Sequence, residues 1–179
     1  MTWLDTAGNI VSQCLDALSG VSQDSRNALA DAIIKARTVF VFGVGRSGLV
    51  AQSFAVRMVQ LGLKVYFIGD MTTPLISDKD LVILVSNSGD TMSVVKTAEI
   101  ARRLETPVFS VTGSEDNNLA RVSNQNIVIA SRKRDGSTSP LGTVFEDATM
   151  LFFDSMVPQL MDILGVTEED MRARHAIWV

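Results

Sequence analysis

Thr38-Val39-Phe40-Val41-Phe42-Gly43-Val44-Gly45-Arg46-Ser47-Gly48 changes character twice within a few residues. Its β-branched and aromatic opening, Thr38 to Phe42, reads as a short strand buried on both faces. A glycine turn follows. Leu49, Val50, Phe54, Met58 and Leu61 then recur at helical spacing over 47–61, until Gly62 stops them. A strand that passes through a tight turn straight into a helix is the repeating half of an α/β domain. Upstream, residues 3–19 place Leu4, Ala7, Val11, Cys14, Leu15 and Leu18 on one helical stripe, and 22–36 do the same with Leu29, Ile33 and Ile34. Downstream, Lys64–Ile68, Leu81–Val85, Val108–Val111 and Ile127–Ala130 read as further apolar strands. Helices are expected over about Thr91–Leu104, Asn117–Val122 and Leu141–Leu164, the last kinked at Pro158. Residues 131–139 read as a polar loop and Thr167–His175 as a charged tail. Continuously apolar strands alternating with helices imply a five-stranded parallel sheet covered on both faces, a three-layer α/β/α sandwich.

Composition narrows what such a domain can do. The chain has 179 residues, of which 46% are hydrophobic and 20% charged. That is enough to bury roughly 70% of the unfolded surface in one domain, expected to span 1–179. Sixteen Lys and Arg stand against 20 Asp and Glu, a net charge of −4, which argues against a nucleic-acid surface and leaves room for a local basic pocket. Cys14 is the sole cysteine and His175 the sole histidine, so neither a disulfide framework nor a multi-histidine or cysteine metal site is expected. No apolar run is long enough to span a membrane, and Met1-Thr2-Trp3-Leu4-Asp5 lacks the basic-then-apolar order of a signal peptide. A cytoplasmic, soluble protein is the expectation.

Ligands of open parallel sheets bind at the carboxyl ends of the strands, so the strand-to-helix turns carry the functional reading. In the first, Gly43 and Gly45 allow a sharp turn, the helix start offers free N–H groups, Arg46 brings forked cationic donors and Ser47 a hydroxyl. The same segment matches G-x-G-x-x-G, and Asp70 follows Gly48 by 22 residues, so a dinucleotide site competes with a sugar-phosphate site and with a turn that binds nothing. The second turn, Ser86-Asn87-Ser88-Gly89-Asp90-Thr91, gathers hydroxyls and a glycine at a helix N-terminus. Ordinary capping by Ser88 or Asp90 explains one of these residues but not Ser86, Ser88 and Thr91 together. Two anion-ready turns after the first and third strands suit one small phosphorylated ligand. A dinucleotide fold needs only the first turn, and usually a second domain that this length does not accommodate.

Acid–base candidates are few. Glu146 opens the long helix among Val144, Phe145 and Leu151, where apolar neighbours suit a general base. Thr143-x-x-Glu146 is equally a capping box. Asp147 and Asp154 read as solvated or paired helix residues, and Lys96, Arg102 and Arg103 as a solvated face. His175 sits in the charged tail, where a surface role is the plain reading. Arg132, Lys133 and Arg134 could steer an anion toward the site.

Together these motifs resemble the sugar isomerase domain family. The Gly-x-Gly-x-Ser turn at Gly43–Ser47, the Ser-x-Ser-Gly-x-Thr turn at Ser86–Thr91 and the two leading helices carry that likeness. Within the family, Thr72-Thr73-Pro74, Ser139-Pro140-Leu141-Gly142-Thr143-Val144-Phe145-Glu146 and the ending Arg172-Ala173-Arg174-His175-Ala176 resemble its 6-phospho-3-hexuloisomerase branch. The resemblance implies a flavodoxin-like fold, a homotetramer, and interconversion of D-arabino-3-hexulose 6-phosphate and fructose 6-phosphate without metal or organic cofactor. It implies that Gly45, Arg46, Ser47, Ser86, Asn87, Ser88, Gly89, Asp90 and Thr91 hold the phosphosugar. It makes Glu146 the base, and His175, reaching into a neighbouring subunit, a second acid–base group. Another phosphosugar isomerase activity, or a phosphosugar sensor without catalysis, is the alternative.

Overall fold

The computed structural model describes residues 2–130 and 138–175. Two helices, α1 (Trp3–Leu18) and α2 (Gln23–Lys35), precede β1 (Val39–Gly43), which feeds α3 (Gly45–Gln60). Then come β2 (Val65–Phe67), β3 (Leu81–Ser86), α4 (Met92–Arg103), β4 (Val108–Thr112), α5 (Asn118–Val122), β5 (Gln125–Val128), α6 (Thr143–Leu164) and α7 (Glu168–Ala173). All strand pairs are parallel, in the order β2-β1-β3-β4-β5. This is the doubly wound order whose strand sequence reverses between β1 and β3, the place where such sheets open a crevice.

Strand periodicity divides the core. Val39 and Val41 of β1, and Leu81, Ile83 and Val85 of β3, face one layer with α1, α2, α3 and α6. Phe40, Val82, Leu84 and Val108 face the other with Val94, Ala98 and Ala101 of α4 and Leu119 of α5. Both faces are covered, which is why the strands lack polar alternation. At the amino ends of β1 and β3, Arg37 forks onto the buried Asp80, with Nε 3.0 Å and Nη2 2.7 Å from its two oxygens. Burial pushes the Asp80 carboxyl up, but hydrogen bonds from Arg37 and Ser77 and the Arg37 charge outweigh it and hold it below its ordinary value.

The elements match the expectation with four corrections. Helix α3 begins at Gly45, two residues early, because the glycine turn already has helical hydrogen bonding. Strand β5 spans Gln125–Val128, displaced toward the amino end by the pairing of Phe109 with Gln125. Helix α6 starts at Thr143 rather than Leu141, which sits in the left-handed region at φ 55°, and it continues through Pro158 to a left-handed Gly165. The expected tail forms α7: Thr167 and Asp170 make a reciprocal capping box, and Met171 is buried against the rest. Arg132, Lys133 and Arg134, and the chain after His175, lie outside the described residues.

Candidate active site

The turns after β1 and β3 converge. Gly43 and Gly48 let strand and helix touch: a Cβ on Gly48 would lie 2.5 Å from the Gly43 carbonyl oxygen, and one on Gly43 would lie 2.9 Å from Val85 O. Packing therefore accounts for two of the three motif glycines. Gly45 differs, with φ +61° and nothing within 4 Å of where a Cβ would stand. Helix α3 starts after Val44 and α4 after Thr91, and neither has a side-chain cap. Their first N–H groups carry the positive end of each helix dipole without a capping oxygen, which is the electrostatic requirement of an anion site.

Between these helix starts lies a cleft of about 210 Å³, lined by Val44, Ser47, Val85, Ser86, Asn87, Ser88 and Thr91. The Ser86 and Thr91 hydroxyls are 3.2 Å apart. Gly89 and Asp90 do not line the cleft; they brace it. The Gly89 N–H donates to Ser86, its carbonyl accepts from Leu119 N–H at 2.8 Å, and Asp90 Oδ1 accepts from Asn118 N–H at 3.1 Å. The start of α5 thus clasps the second turn. Asn117, buried there, ties α5 back through Thr112 and Ser114. Nothing in the local sequence distinguishes Asn117 from a helix cap, which it also is, since its Oδ1 accepts from Ala120 N–H at 2.8 Å.

Glu146 stands next to this cleft. A Cβ on Gly142 would lie 3.1 Å from Glu146 Oε1 and 3.3 Å from Asn87 Nδ2, so the carboxylate and the cleft amide flank the same glycine. The capping-box reading of Glu146 is corrected. Gly142, not Thr143, is the cap residue of α6, with no side-chain hydrogen bond, and the Thr143 hydroxyl donates to Pro140 O at 2.7 Å. Glu146, with a side chain 12% exposed, instead meets Arg46 Nε at 2.5 Å through Oε2. Asp147 accepts a hydrogen bond from Arg46 Nη2 at 3.3 Å, a partner that sequence spacing did not single out. Behind this triad an apolar groove of about 590 Å³ runs along α1, α3 and α6, past Ile10, Val11, Leu49 and Met150. Cys14 lines it too; burial, then the charge of Asp147, pushes its thiol up, so it is a packed thiol rather than a nucleophile.

His175 is not part of this cluster within one chain. It follows α7, whose Arg174 donates to Gln60 O at the far end of α3. From Glu146 to the end of α6 the helix alone covers roughly 27 Å, at about 1.5 Å per residue.

The SIS domain family model matches residues 32–161. The chain belongs to the SIS domain family. It is 36% identical to a 3-hexulose-6-phosphate isomerase of Methanocaldococcus jannaschii, over 83% of this chain and 81% of that one. It is 30% identical to a 3-hexulose-6-phosphate isomerase of Bacillus subtilis, over 98% of both. A Methanococcus jannaschii crystal structure, from which a 3-hexulose-6-phosphate isomerase function was inferred, superposes with a TM-score of 0.86 at 32% identity, covering 98% of both chains. With the SIS assignment and relatives named as isomerases, the dinucleotide alternative for the G-x-G-x-x-G turn loses its support. Among the described residues no helix is long and apolar enough to cross a membrane, and no cluster of metal-ligating side chains forms.

Proposed function

We propose that the protein is a 6-phospho-3-hexuloisomerase, interconverting D-arabino-3-hexulose 6-phosphate and fructose 6-phosphate. The observation that carries this reading is a protected carboxylate, Glu146, beside a cleft built for a phosphate by two uncapped helix N-termini and the hydroxyls of Ser47, Ser86, Ser88 and Thr91.

The reaction moves a carbonyl from C3 to C2. Glu146 takes the C2 proton, and the electron pair left behind makes a 2,3-enediolate with its charge on O3. The same carboxyl returns the proton to C3, while the O2 proton passes to O3, so that no proton is gained or lost overall. The C–H bond is a weak acid, so the enediolate oxygens need fixed donors, and Arg46 stands next to Glu146 to supply them. Phosphate on O6 blocks the five-membered ring that a C3 ketone would otherwise close, so no ring-opening group is required in the direction of fructose 6-phosphate. Gly89 and Asp90 hold the second turn in shape, and Asn87 spans the phosphate and carboxylate ends of the site.

His175 acts in this reading from another copy of the chain. A second copy would also cover the apolar α1–α3–α6 face, where Leu4, Val11, Leu15 and Leu49 are exposed. A cytoplasmic homotetramer, each chain a single SIS domain over 1–179, fits both features.

The test is a coupled assay in which hexulose 6-phosphate is made in place from ribulose 5-phosphate and formaldehyde by the synthase, and fructose 6-phosphate is followed with and without chelator. Rapid, chelator-insensitive formation is expected. Folded protein that yields no product overturns the reading.

A further inference from the structure

Arg46 touches two carboxylates that are neighbours in sequence. Consecutive residues of a helix diverge by about 100° around its axis, so one side chain meets both only by straddling two faces. Helices α3 and α6 pack side by side, with Phe54 stacked on Phe153 at 4.2 Å and Arg57 beside Asp154, and Arg46, in the first turn of α3, flanks Glu146 and Asp147 near the start of α6.

The two contacts differ in kind. Nη2 donates a hydrogen bond to Asp147 Oδ1 at 3.3 Å. Nε lies in ionic contact with Glu146 Oε2, but its N–H is not aimed at that oxygen, which is buried with no hydrogen-bond donor. An arginine facing a single carboxylate prefers a two-bond fork, as Arg37 makes on Asp80. Here the fork is divided. Glu146 keeps a cation beside it and a lone pair uncommitted.

We propose that Asp147 is a positioning residue: by holding Nη2 of Arg46, it keeps the guanidinium from closing on Glu146 as a fork, so that Glu146 stays available to accept a proton. This rests on Glu146 being the base. Asp147 lines the apolar groove together with Arg46 and Glu146, and its hydrogen bond to Arg46 Nη2 is the contact through which it acts. Removing its charge lets Arg46 turn wholly onto Glu146. The base then spends its lone pairs on the guanidinium, and turnover falls while phosphosugar affinity stays.

The experiment compares wild type, Asp147→Asn and Asp147→Glu by steady-state kinetics, by sedimentation, and by the ¹⁵N–¹H signal of the Arg46 Nε group, assigned through its loss in Arg46→Lys. Asp147→Asn is expected to lower kcat about ten-fold with KM within about two-fold, and Asp147→Glu to recover most of the loss. The Arg46 signal should move in Asp147→Asn and return in Asp147→Glu, with sedimentation unchanged throughout. A raised KM at unchanged kcat, an unaltered kcat, or a loss that tracks dissociation of the assembly overturns the proposal. If the wild-type chain turns over no hexulose 6-phosphate, the functional reading fails by itself. The Arg46 signal then judges the contact alone: an unmoved signal in Asp147→Asn overturns the hold of Asp147 on Arg46, and a moved one upholds that hold while the catalytic part of the proposal falls with the functional reading.

Discussion

Thr143-Val144-Phe145-Glu146 and Thr167-Glu168-Glu169-Asp170 both open a helix with a threonine followed three residues later by an acid. At α7 the pair behaves as its spacing suggests: Thr167 Oγ1 accepts from Asp170 N–H at 3.2 Å, and Asp170 Oδ2 accepts from Thr167 N–H at 2.9 Å. At α6 neither bond forms. Leu141, in the left-handed region at φ 55°, turns the chain so that the helix begins one residue earlier, and the Thr143 hydroxyl is taken by Pro140 O. The acid of that pair is then free to meet a cation from another element. Local spacing proposes a cap, and the tertiary partner decides whether the carboxylate is used for one. Glu146→Gln breaks the comparison at its functional end. It keeps the shape and removes the base, so kcat should fall at least about 100-fold with phosphosugar binding near normal. Thermal stability should barely change, because no cap is lost. A lowered melting temperature with preserved turnover would make the two helix starts alike after all.

The phosphate cleft supplies the next largest effect. Ser88→Ala removes a cleft hydroxyl that also steadies Asp90 N–H at 3.2 Å. It should raise KM about ten-fold and alter kcat far less, since the phosphate is bound equally in ground and transition states. An unchanged apparent affinity for the phosphosugar would remove the second turn from the binding site. The two threonines then sharpen the contrast by stability alone. Thr167→Ala should cost on the order of 1 kcal/mol in urea unfolding, as a lost cap does, and Thr143→Ala only a few tenths. Equal losses would show that Thr143 caps in solution.

Much of this arrangement was legible before any coordinates. Strands buried on both faces announce themselves as apolar runs, so the sheet and both anion-ready turns followed from Thr38–Gly48 and Leu81–Thr91. Glu146 was visible as a carboxylate among apolar residues, though its role stayed divided between base and cap. The rest depends on contacts distant in sequence. Arg46 and Asp147 are 101 residues apart. Asp90, read as a phosphate contact, turns to α5 because Asn118 N–H lies across from it. Helix α7 was missed because its charged exterior hid one buried residue, Met171. No periodicity argument reaches such pairings, since each is set by where the sheet delivers a helix end.

The smallest effect separates the capping acid from its counterpart by pH. Hydrogen bonds from the Thr167 side chain, then from its backbone N–H, hold the Asp170 carboxyl below its ordinary value. A carboxylate depressed in the folded state stabilises that state above the unfolded value, and the contribution is lost as pH falls through the folded one. The α7 start should therefore be fully held at neutral pH and loosen only below about pH 4, the ordinary range of an aspartate. Hydrogen exchange at the Met171 and Arg172 amides reads this directly, because both belong to the helix that the box begins. Thr167→Ala removes the side-chain bonds but leaves the backbone N–H on Asp170, so the loosening should shift part of the way up, toward the ordinary value. Protection that does not change between neutral pH and pH 3, or a midpoint that Thr167→Ala leaves in place, would mean that packing of Met171, not the box, holds α7 on the domain.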